Sequence, residues 1–355
     1  MKNFTLYMPN MGNVLLTKDV GVIPFIMQKH HGYKSEILCY SINDELYDNK
    51  IYLDNLEVNL IKNEEDVLQK LKNTQVLMMI GLYDYNIQMI AAYKSVNPLG
   101  KIYLKLDANV YWMSNLNKSM NEGLLNALRR CDLITVESRR LEHLLNSIWN
   151  LNIQFIPNGY YNFINDEIIN YEDKTNTIMF AGRVGSPDKN NQLLLEAFKN
   201  IEDKIKGWNI ELVGGIEDNF LIYLKNYFTE NPHLRERIKL TGKLEKNQLK
   251  ERFKEAKIFC LTSASEACAN VFSESVSNGC YLISTDVDGA IDIIDYGKYG
   301  RIFPINNRTK LEEALLDSCF NEDLLKSNCI NSQIYSQENL SWIKICENLN
   351  RLFKI

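Results

Sequence analysis

Short apolar runs alternate along the chain with longer segments whose apolar residues recur at helical spacing. The strand-like runs of the first part are Phe4–Met8, Glu36–Tyr40, Val76–Leu82, Ile102–Leu106, Leu133–Val136 and Ile153–Ile156. Those of the second part are Ile178–Ala181, Ile210–Val213, Ile238–Leu240, Ile258–Leu261 and Tyr281–Ser284. Helical patterns such as Ile87–Tyr93, Gln192–Phe198 and Gln248–Ala256 lie between them. This alternation predicts an α/β protein with parallel sheets covered by helices on both faces.

The two series of strands predict two doubly wound domains. Between them, from Pro157-Asn-Gly159 to Lys174, the chain is polar and rich in turn residues, which is typical of a domain boundary. We therefore expect a first domain over residues 1–160 and a second over residues 161–335.

Composition narrows the class of protein. The 355 residues include 45% hydrophobic and 24% charged residues, and the net charge of −5 comes with no basic block, so nucleic acid is not an expected partner. The first residues carry too short an apolar run for a signal peptide, and no run approaches the roughly 20 apolar residues of a membrane helix. Eight scattered Cys residues without a Cys-x-x-Cys pair suggest free thiols and a cytoplasmic location.

The most informative segment runs from Glu266 to Gly279. Glu266 and Glu274 stand eight positions apart, and small residues separate them. We expect Glu274 to begin a helix, whose N-terminus would present backbone N–H groups to an anion. Carboxylates would repel a bare phosphate but accept hydrogen bonds from sugar hydroxyls, so this pattern favours a nucleoside diphosphate sugar. The alternative is a loop carboxylate followed by a residue that complements a helix dipole.

A second cluster follows the first strand of the second domain. Arg183 and Lys189 lie in the segment Ala181-Gly-Arg-Val-Gly-Ser-Pro-Asp-Lys189, and they would place two cations at the carboxyl end of that strand. Arginine binds a diphosphate through two N–H groups, and lysine adds a point charge. A surface loop with solvated charges is the alternative. Because ligands of doubly wound sheets bind beyond the carboxyl ends of the strands, we expect this loop and the Glu266 loop to converge.

These segments resemble motifs of the retaining glycosyltransferases of family 4, which have the GT-B fold. Ala181–Phe198 resembles their first donor-site motif, and Thr262–Gly279 resembles their E-x7-E motif. Ile156–Gly159 resembles their interdomain link, and Leu240–Lys243 resembles their base-contacting loop. Leu340-Ser-Trp342 resembles the start of their C-terminal helix, which returns to the first domain.

The resemblance implies two Rossmann-like domains that face a central cleft. The first would bind the acceptor and include the C-terminal helix at about residues 336–355, and the second would bind the nucleotide sugar. It also implies roles for single residues. Arg183, Lys189 and the backbone N–H groups of Asn270 and Val271 would bind the diphosphate, Glu274 the ribose, Glu266 the transferred sugar as a catalytic residue, and Gly242 and Lys243 the base. No metal or other cofactor is expected.

Two alanines and one missing histidine depart from the family pattern and affect the expected site. Ala267 and Ala269 stand where the family usually has glycine, and a positive φ would be costly at either. A histidine common in the family near the reaction centre is missing from Ile102–Asn109, where Asp107 either orients the acceptor hydroxyl as a catalytic residue or is a turn residue.

In the first domain, Gly21 at a helix start is the preferred candidate for a further contact to the diphosphate.

Other motifs point away from competing functions. Asp286-Val-Asp288 has the Asp-x-Asp pattern of a metal site, but it follows the strand after the E-x7-E helix, where a polar loop is expected. The chain has no dinucleotide-binding, P-loop or hydrolase-elbow motif.

The sequence, together with this resemblance, thus predicts transfer of a hexose or N-acetylhexosamine from a nucleotide sugar, with UDP as the expected carrier, to an acceptor hydroxyl. Retention of configuration is implied by the family resemblance alone. The acceptor would be a glycan, a lipid-linked glycan or a protein in surface polysaccharide, glycolipid or glycoprotein assembly. A lipid-linked acceptor would imply peripheral contact with the inner face of a membrane. Two alternatives remain open at this point: an inverting, epimerase-like nucleotide-sugar enzyme of the same fold, and a non-catalytic partner subunit.

Overall fold

The computed structural model describes residues 2–43, 53, 55–116, 120–163 and 167–353. The strands are β1 Lys2–Tyr7, β2 Asn10–Met11, β3 Tyr33–Cys39, β4 Ser41–Ile42, β5 Glu57–Leu60, β6 Val76–Ile80, β7 Lys101–Lys105, β8 Leu133–Val136, β9 Ile153–Phe155, β10 Thr175–Ala181, β11 Asn209–Val213, β12 Ile238–Gly242, β13 Ala256–Leu261, β14 Tyr281–Thr285 and β15 Gly300–Phe303. The α-helices are α1 Asn13–Leu16, α2 Asp19–His31, α3 Glu64–Leu71, α4 Asp84–Val96, α5 Val110–Leu116, α6 Glu122–Leu128, α7 Arg139–Trp149, α8 Asn191–Ile201, α9 Asp218–Glu230, α10 Lys246–Glu255, α11 Asn270–Ser277, α12 Ala290–Ile293, α13 Arg308–Cys319, α14 Glu322–Asn339 and α15 Trp342–Phe353.

The chain divides into two compact units, one of Met1–Phe163 with Ser341–Ile355 and one of Ile164–Leu340. In the described part of the first unit, seven parallel strands form a sheet in the order β5-β3-β1-β6-β7-β8-β9. The strand order reverses direction between β1 and β6. This is a doubly wound sheet with its topological switch point at that pair of strands.

The C-terminal helix α15 belongs to the first unit. Trp342, Cys346, Leu349 and Phe353 are buried in the same core as β1, β3 and α2, and the Phe353 ring lies 5.7 Å from the Tyr103 ring. The expected C-terminal helix at about residues 336–355 is two helices in the structure, because α14 ends at Asn339 and α15 begins at Trp342.

The second unit has its own parallel sheet. Its strand order is β12-β11-β10-β13-β14-β15, and the switch point lies between β10 and β13. Two edge strands of the protein, β5 and β15, are absent from the sequence prediction. In β5 the apolar residues alternate with Glu57 and Asn59, and in β15 only Ile302 and Phe303 are large apolar residues, so neither strand gives an apolar run.

A buried lysine ties two helices of the second unit together. Lys174 lies just before β10 and is 6% exposed. Its ammonium donates hydrogen bonds to the carbonyl oxygens of Phe253 and Lys254 in the last turn of α10, at 3.1 Å each, to that of Ala256 at 2.9 Å, and to that of Asn278 after α11 at 2.7 Å. These carbonyls have no acceptor role inside their own helices, so Lys174 satisfies the C-terminal ends of α10 and α11 together.

No helix of the described residues is both long and apolar enough to span a bilayer. All eight Cys are free, and Cys131 and Cys319 are the two that are partly exposed.

We expect Lys174→Met to lower the free energy of unfolding by about 2–4 kcal/mol, because methionine has a similar length but cannot donate hydrogen bonds. The carbonyls of Lys254 and Asn278 would lose the ammonium donor, and those of Phe253 and Ala256 would keep the weak thiol donor of Cys280. Guanidinium denaturation would measure the change. Lys204→Met, at an exposed position, is the control and should stay within roughly 0.5 kcal/mol of the unmodified protein. Equal stability of the two variants would contradict the assigned role of Lys174.

Candidate functional site

Two loops meet at the switch point of the second sheet. One follows β10 and contains Arg183 and Lys189, and the other follows β13 and contains Glu266. Because β10 and β13 are neighbouring parallel strands, their carboxyl ends lie side by side. This edge is where a doubly wound sheet binds its ligands.

Backbone and side-chain hydrogen bonds hold the two loops to each other. The Thr262 hydroxyl donates to the carbonyl oxygens of Lys189 at 2.9 Å and Asn190 at 3.0 Å. The backbone N–H of Ala264 donates to the Asp188 carbonyl oxygen at 2.8 Å. The position of each loop therefore depends on the other.

The expected convergence of Lys189 and Glu266 is present as an ion pair between their side chains. Both side chains are largely buried, at 15% and 12% exposed. The Ser263 hydroxyl donates to the same Glu266 oxygen at 2.6 Å. A carboxylate has room for about four hydrogen bonds, so this pairing leaves Glu266 able to accept further donors.

Arg183 is more accessible, with its side chain 66% exposed, and it pairs with Asp188 at 2.9 Å. Lys189 lies 3.5 Å from the same Asp188 oxygen. Burial alone would raise the pKa of Asp188, but a hydrogen bond from Ser186 and the charges of Lys189 and Arg183 hold that pKa below its usual range. The sequence prediction missed Asp188, although its place directly before Lys189 within the quoted motif was a usable signal.

The tight turn before these cations requires glycine at position 185. Gly185 has φ of +88°, and a Cβ atom there would lie 2.1 Å from the Phe220 side chain. Its N–H donates to the Asn191 side-chain oxygen at 2.7 Å, which links the turn to the first residue of α8.

The helix of the Glu266–Gly279 segment begins earlier than the sequence predicted. It starts at Asn270, so Glu274 is its fifth residue rather than its first. The N-cap position is occupied by Ala269, which has extended backbone with φ of −62° and offers no side-chain capping hydrogen bond, so the usual capping signal is missing at this position. The Phe272 N–H donates to the Ala269 carbonyl at 2.9 Å, and the N–H groups of Asn270 and Val271 precede it at the helix N-terminus.

The alanines at positions 267 and 269 are compatible with this loop. Neither is among the described residues with positive φ, so no left-handed backbone is needed where the family usually has glycine.

Glu274 forms an ion pair with Lys246, the first residue of α10. The two side chains are 14% and 22% exposed. The sequence prediction assigned Gly242 and Lys243 to the base and did not select Lys246. Lys243 is exposed and follows β12, where Gly242 adopts φ of +77°. Lys246 was missed because it lies 28 residues from Glu274 and no local pattern joins them.

In the first unit, packing explains the glycine at position 21. A Cβ atom on Gly21 would lie 2.2 Å from the Leu16 carbonyl oxygen. Gly21 is the third residue of α2, and its N–H donates to the Lys18 carbonyl at 3.1 Å. An anion would have to compete with that bond.

Asp107 follows the carboxyl end of β7 beside a buried charge cluster. Asp107 has φ of +47° and a side chain 51% exposed. Lys105, fully buried, lies 2.9 Å from Asp19, 2.8 Å from Glu137 and 3.9 Å from Asp107. Glu137 in turn accepts the backbone N–H groups of Asp107 and Ala108 at 3.3 Å each, so the cluster fixes the turn that carries Asp107.

The same charge cluster shifts the pKa values of Glu137 and Lys105. Burial raises the pKa of Glu137 to about 7 against the opposing charge of Lys105. Burial would lower the pKa of Lys105, but the carboxylates of Asp19 and Glu137 outweigh it and hold that pKa well above its usual range.

Within the part of the chain that the structure describes, no three His, Cys, Asp or Glu side chains are grouped to hold a metal ion. In the Asp286-Val-Asp288 segment, Asp286 is exposed and Asp288 is buried.

The segment of the second unit that contains the switch-point site matches a known protein family. Residues 163–332 match the model of the family described as Glycosyl transferases group 1. The match covers just under half of the chain and includes Arg183, Lys189, Glu266 and Glu274.

Two curated proteins that resemble part of this chain are also named as sugar transferases. An uncharacterised glycosyltransferase of Methanocaldococcus jannaschii is 25% identical over 194 residues, which are 55% of this chain and 52% of that protein. A phosphatidyl-myo-inositol mannosyltransferase of Mycobacterium leprae is 18% identical over 189 residues, 53% of this chain and 49% of that protein. The chain thus spans about half the length of the curated relatives it matches.

Solved structures resemble the whole chain. HepE of Anabaena in complex with UDP has a TM-score of 0.77 at 14% identity, with 100% of both chains covered. A glycosyltransferase of Rickettsia africae has a TM-score of 0.74 at 16% identity, with 99% of this chain and 98% of that chain covered. These likenesses show the fold, which is the GT-B fold of glycosyltransferases with two Rossmann-like domains.

The Glu137 pKa predicts a pH dependence of stability. Since the pKa in the folded protein, about 7, lies above the ordinary 4.5, the stability that Glu137 contributes is present below pH 4.5 and is lost as the pH rises through 7. Between about pH 5 and about pH 8 we expect this loss to approach roughly 3 kcal/mol. Glu137→Gln should remove it, as measured by guanidinium denaturation at both pH values.

The control for this experiment is Glu65→Gln at an exposed position of α3. It should keep the pH dependence of the unmodified protein. If Glu137→Gln also kept it, Glu137 would have an ordinary proton affinity and the cluster would hold it ionised throughout.

Proposed function

We propose that the protein is a retaining glycosyltransferase that moves a sugar from a UDP-sugar to an acceptor hydroxyl. The observation that supports this most directly is the convergence at one switch point of the Arg183–Lys189 loop, Glu266 and the N-terminus of α11. That convergence lies within the segment matched by the group 1 family.

The donor diphosphate would bind Arg183 and Lys189. The exposed Arg183 guanidinium can turn from Asp188 to a phosphate, and bidentate binding of phosphate suits its planar shape. Lys189 is held in place by Glu266 and contributes a fixed positive charge. The N–H groups of Asn270 and Val271, at the positive end of α11, would bind the phosphate next to the transferred sugar.

The two motif carboxylates would bind the sugars on either side of the diphosphate. Glu266 would accept hydrogen bonds from the transferred hexose or N-acetylhexosamine, and Glu274 from the ribose. Gly242 and Lys243, at the end of β12, would contact the base.

This arrangement suits departure of a nucleoside diphosphate without a metal ion. Negative charge develops on the leaving diphosphate, and fixed cations with a helix N-terminus stabilise it more in the transition state than in the ground state. In a front-face reaction, the leaving phosphate oxygen accepts the proton of the attacking hydroxyl on the same face, so the anomeric configuration is retained. Asp107, half exposed at the end of β7, would orient an acceptor hydroxyl as a hydrogen-bond acceptor.

The choice of UDP as carrier is supported by the resemblance to HepE, whose structures contain UDP, glucose and UDP-glucose. For the acceptor we propose a glycan, lipid-linked glycan or protein of surface polysaccharide, glycolipid or glycoprotein assembly. A cytoplasmic location, with peripheral contact to the inner face of a membrane for a lipid-linked acceptor, is consistent with this role.

We expect Arg183→Ala and Lys189→Ala each to lower turnover of a UDP-sugar by about 10²-fold or more, because each removes a cation that stabilises the leaving diphosphate. Initial rates of UDP release would measure turnover, and calorimetric titration of UDP without metal would measure binding. Lys204→Ala, at an exposed position, should change neither quantity.

Near-normal turnover in both variants would overturn the diphosphate assignment. The anomeric configuration of the product, followed by NMR, tests retention, and an inverted product would favour the inverting alternative. If the folded protein bound none of UDP, GDP and dTDP, this result would favour a non-catalytic role.

A further inference from the structure

Lys246 is a charged residue that the motif-based assignment leaves without a function. It is the first residue of α10, and the N-cap before it forms a capping box in which the Glu245 side chain and Gln248 satisfy each other's backbone N–H groups. Such a box fixes the backbone at the start of a helix. Lys246 therefore projects from a defined position.

The partner of Lys246 is Glu274, the residue proposed to bind the ribose. Both side chains are mostly buried, so this pair differs from an exposed surface ion pair that opens readily in water. The separation of the two side chains is also constrained from the far ends of their helices, because Lys174 binds the C-terminal carbonyls of both α10 and α11.

A lysine paired with a carboxylate is a suitable receptor for a sugar hydroxyl. A hydroxyl group donates one hydrogen bond and accepts others, whereas a carboxylate only accepts and an ammonium only donates. A ribose hydroxyl at this pair can therefore donate to Glu274 and accept from Lys246 at the same time. A hydrogen atom in place of that hydroxyl would leave the two groups paired only with each other, and the bound nucleotide would lose both hydrogen bonds.

We propose that Lys246 is a specificity-determining residue that binds the ribose diol together with Glu274, so that the protein selects ribonucleoside diphosphate donors over 2′-deoxyribonucleoside diphosphate donors. This inference rests on the proposed nucleotide-sugar function. It extends that function by assigning a residue outside the recognised motifs and by excluding dTDP-sugars as preferred donors.

A purely structural role for the pair makes a different prediction. If Lys246 only tethered α10 to α11, its loss would weaken ribonucleotides and deoxyribonucleotides by the same factor. The ratio of the two dissociation constants therefore separates the roles, whereas the affinity for one nucleotide would not.

The experiment is a calorimetric titration of UDP against 2′-deoxy-UDP and of GDP against 2′-deoxy-GDP, with the protein in its full length. The unmodified protein should bind the ribonucleotide at least about tenfold more tightly than its deoxy counterpart, since a site that binds a hydroxyl discriminates against its absence. In Lys246→Met the ratio should fall towards one, mainly through weaker binding of the ribonucleotide. Lys254→Met, on the same helix and paired with the exposed Glu251, should keep the ratio.

Thermal denaturation of both variants would establish that they are folded. Equal affinity of the unmodified protein for ribo- and deoxyribonucleotides, or an unchanged ratio in Lys246→Met, would overturn the assignment of Lys246 while leaving the nucleotide site intact. Absence of binding by all four nucleotides would instead remove the proposed function, and the inference with it.

Discussion

The second unit depends on one buried ammonium group. Lys174 donates to four backbone carbonyls at the ends of two helices and the start of a strand. The thiol of Cys280, a weak donor, also reaches two of these carbonyls, those of Phe253 and Ala256. The opposite ends of the same helices carry Lys246 and the N-terminus of α11. Lys174 therefore joins the two helices at the ends opposite to those that lie at the ligand edge.

Six of the charged side chains at the ligand edge form three pairs. Lys189 pairs with Glu266, Lys246 with Glu274, and Arg183 with Asp188. In each pair the lysine or arginine keeps the carboxylate in place, and the carboxylate orients the cation. Of the three cations Arg183 is the most exposed, which suits a side chain that exchanges its partner for a phosphate oxygen.

The sequence predicted best the features that depend on residues close together in the chain. Strand ends could be located from apolar runs such as Val76–Leu82, and the rule for doubly wound sheets then brought the loops of Lys189 and Glu266 together. Edge strands β5 and β15 could not be found because each has only two large apolar residues, which are too few to form an apolar run. The start of α11 was placed too late, since its N-cap is Ala269, which has no side chain that can cap a helix. Contacts between distant segments, namely Lys246 with Glu274 and Lys105 with Glu137, leave no periodic trace in the chain.

The pairing of charges also bears on how fast a donor is captured. Among the described groups at this edge, the charges of Arg183, Lys189 and Lys246 are balanced by those of Asp188, Glu266 and Glu274, and the exposed Lys243 adds a single positive charge. Beyond a Debye length of about 8 Å such an array is nearly neutral, and the chain as a whole carries −5. A diphosphate anion is therefore not steered from a distance, so its association rate should respond little to ionic strength. Salt would instead change how long the anion stays bound. The phosphates are attracted to the cations only after they have reached the ion pairs and separated the paired side chains.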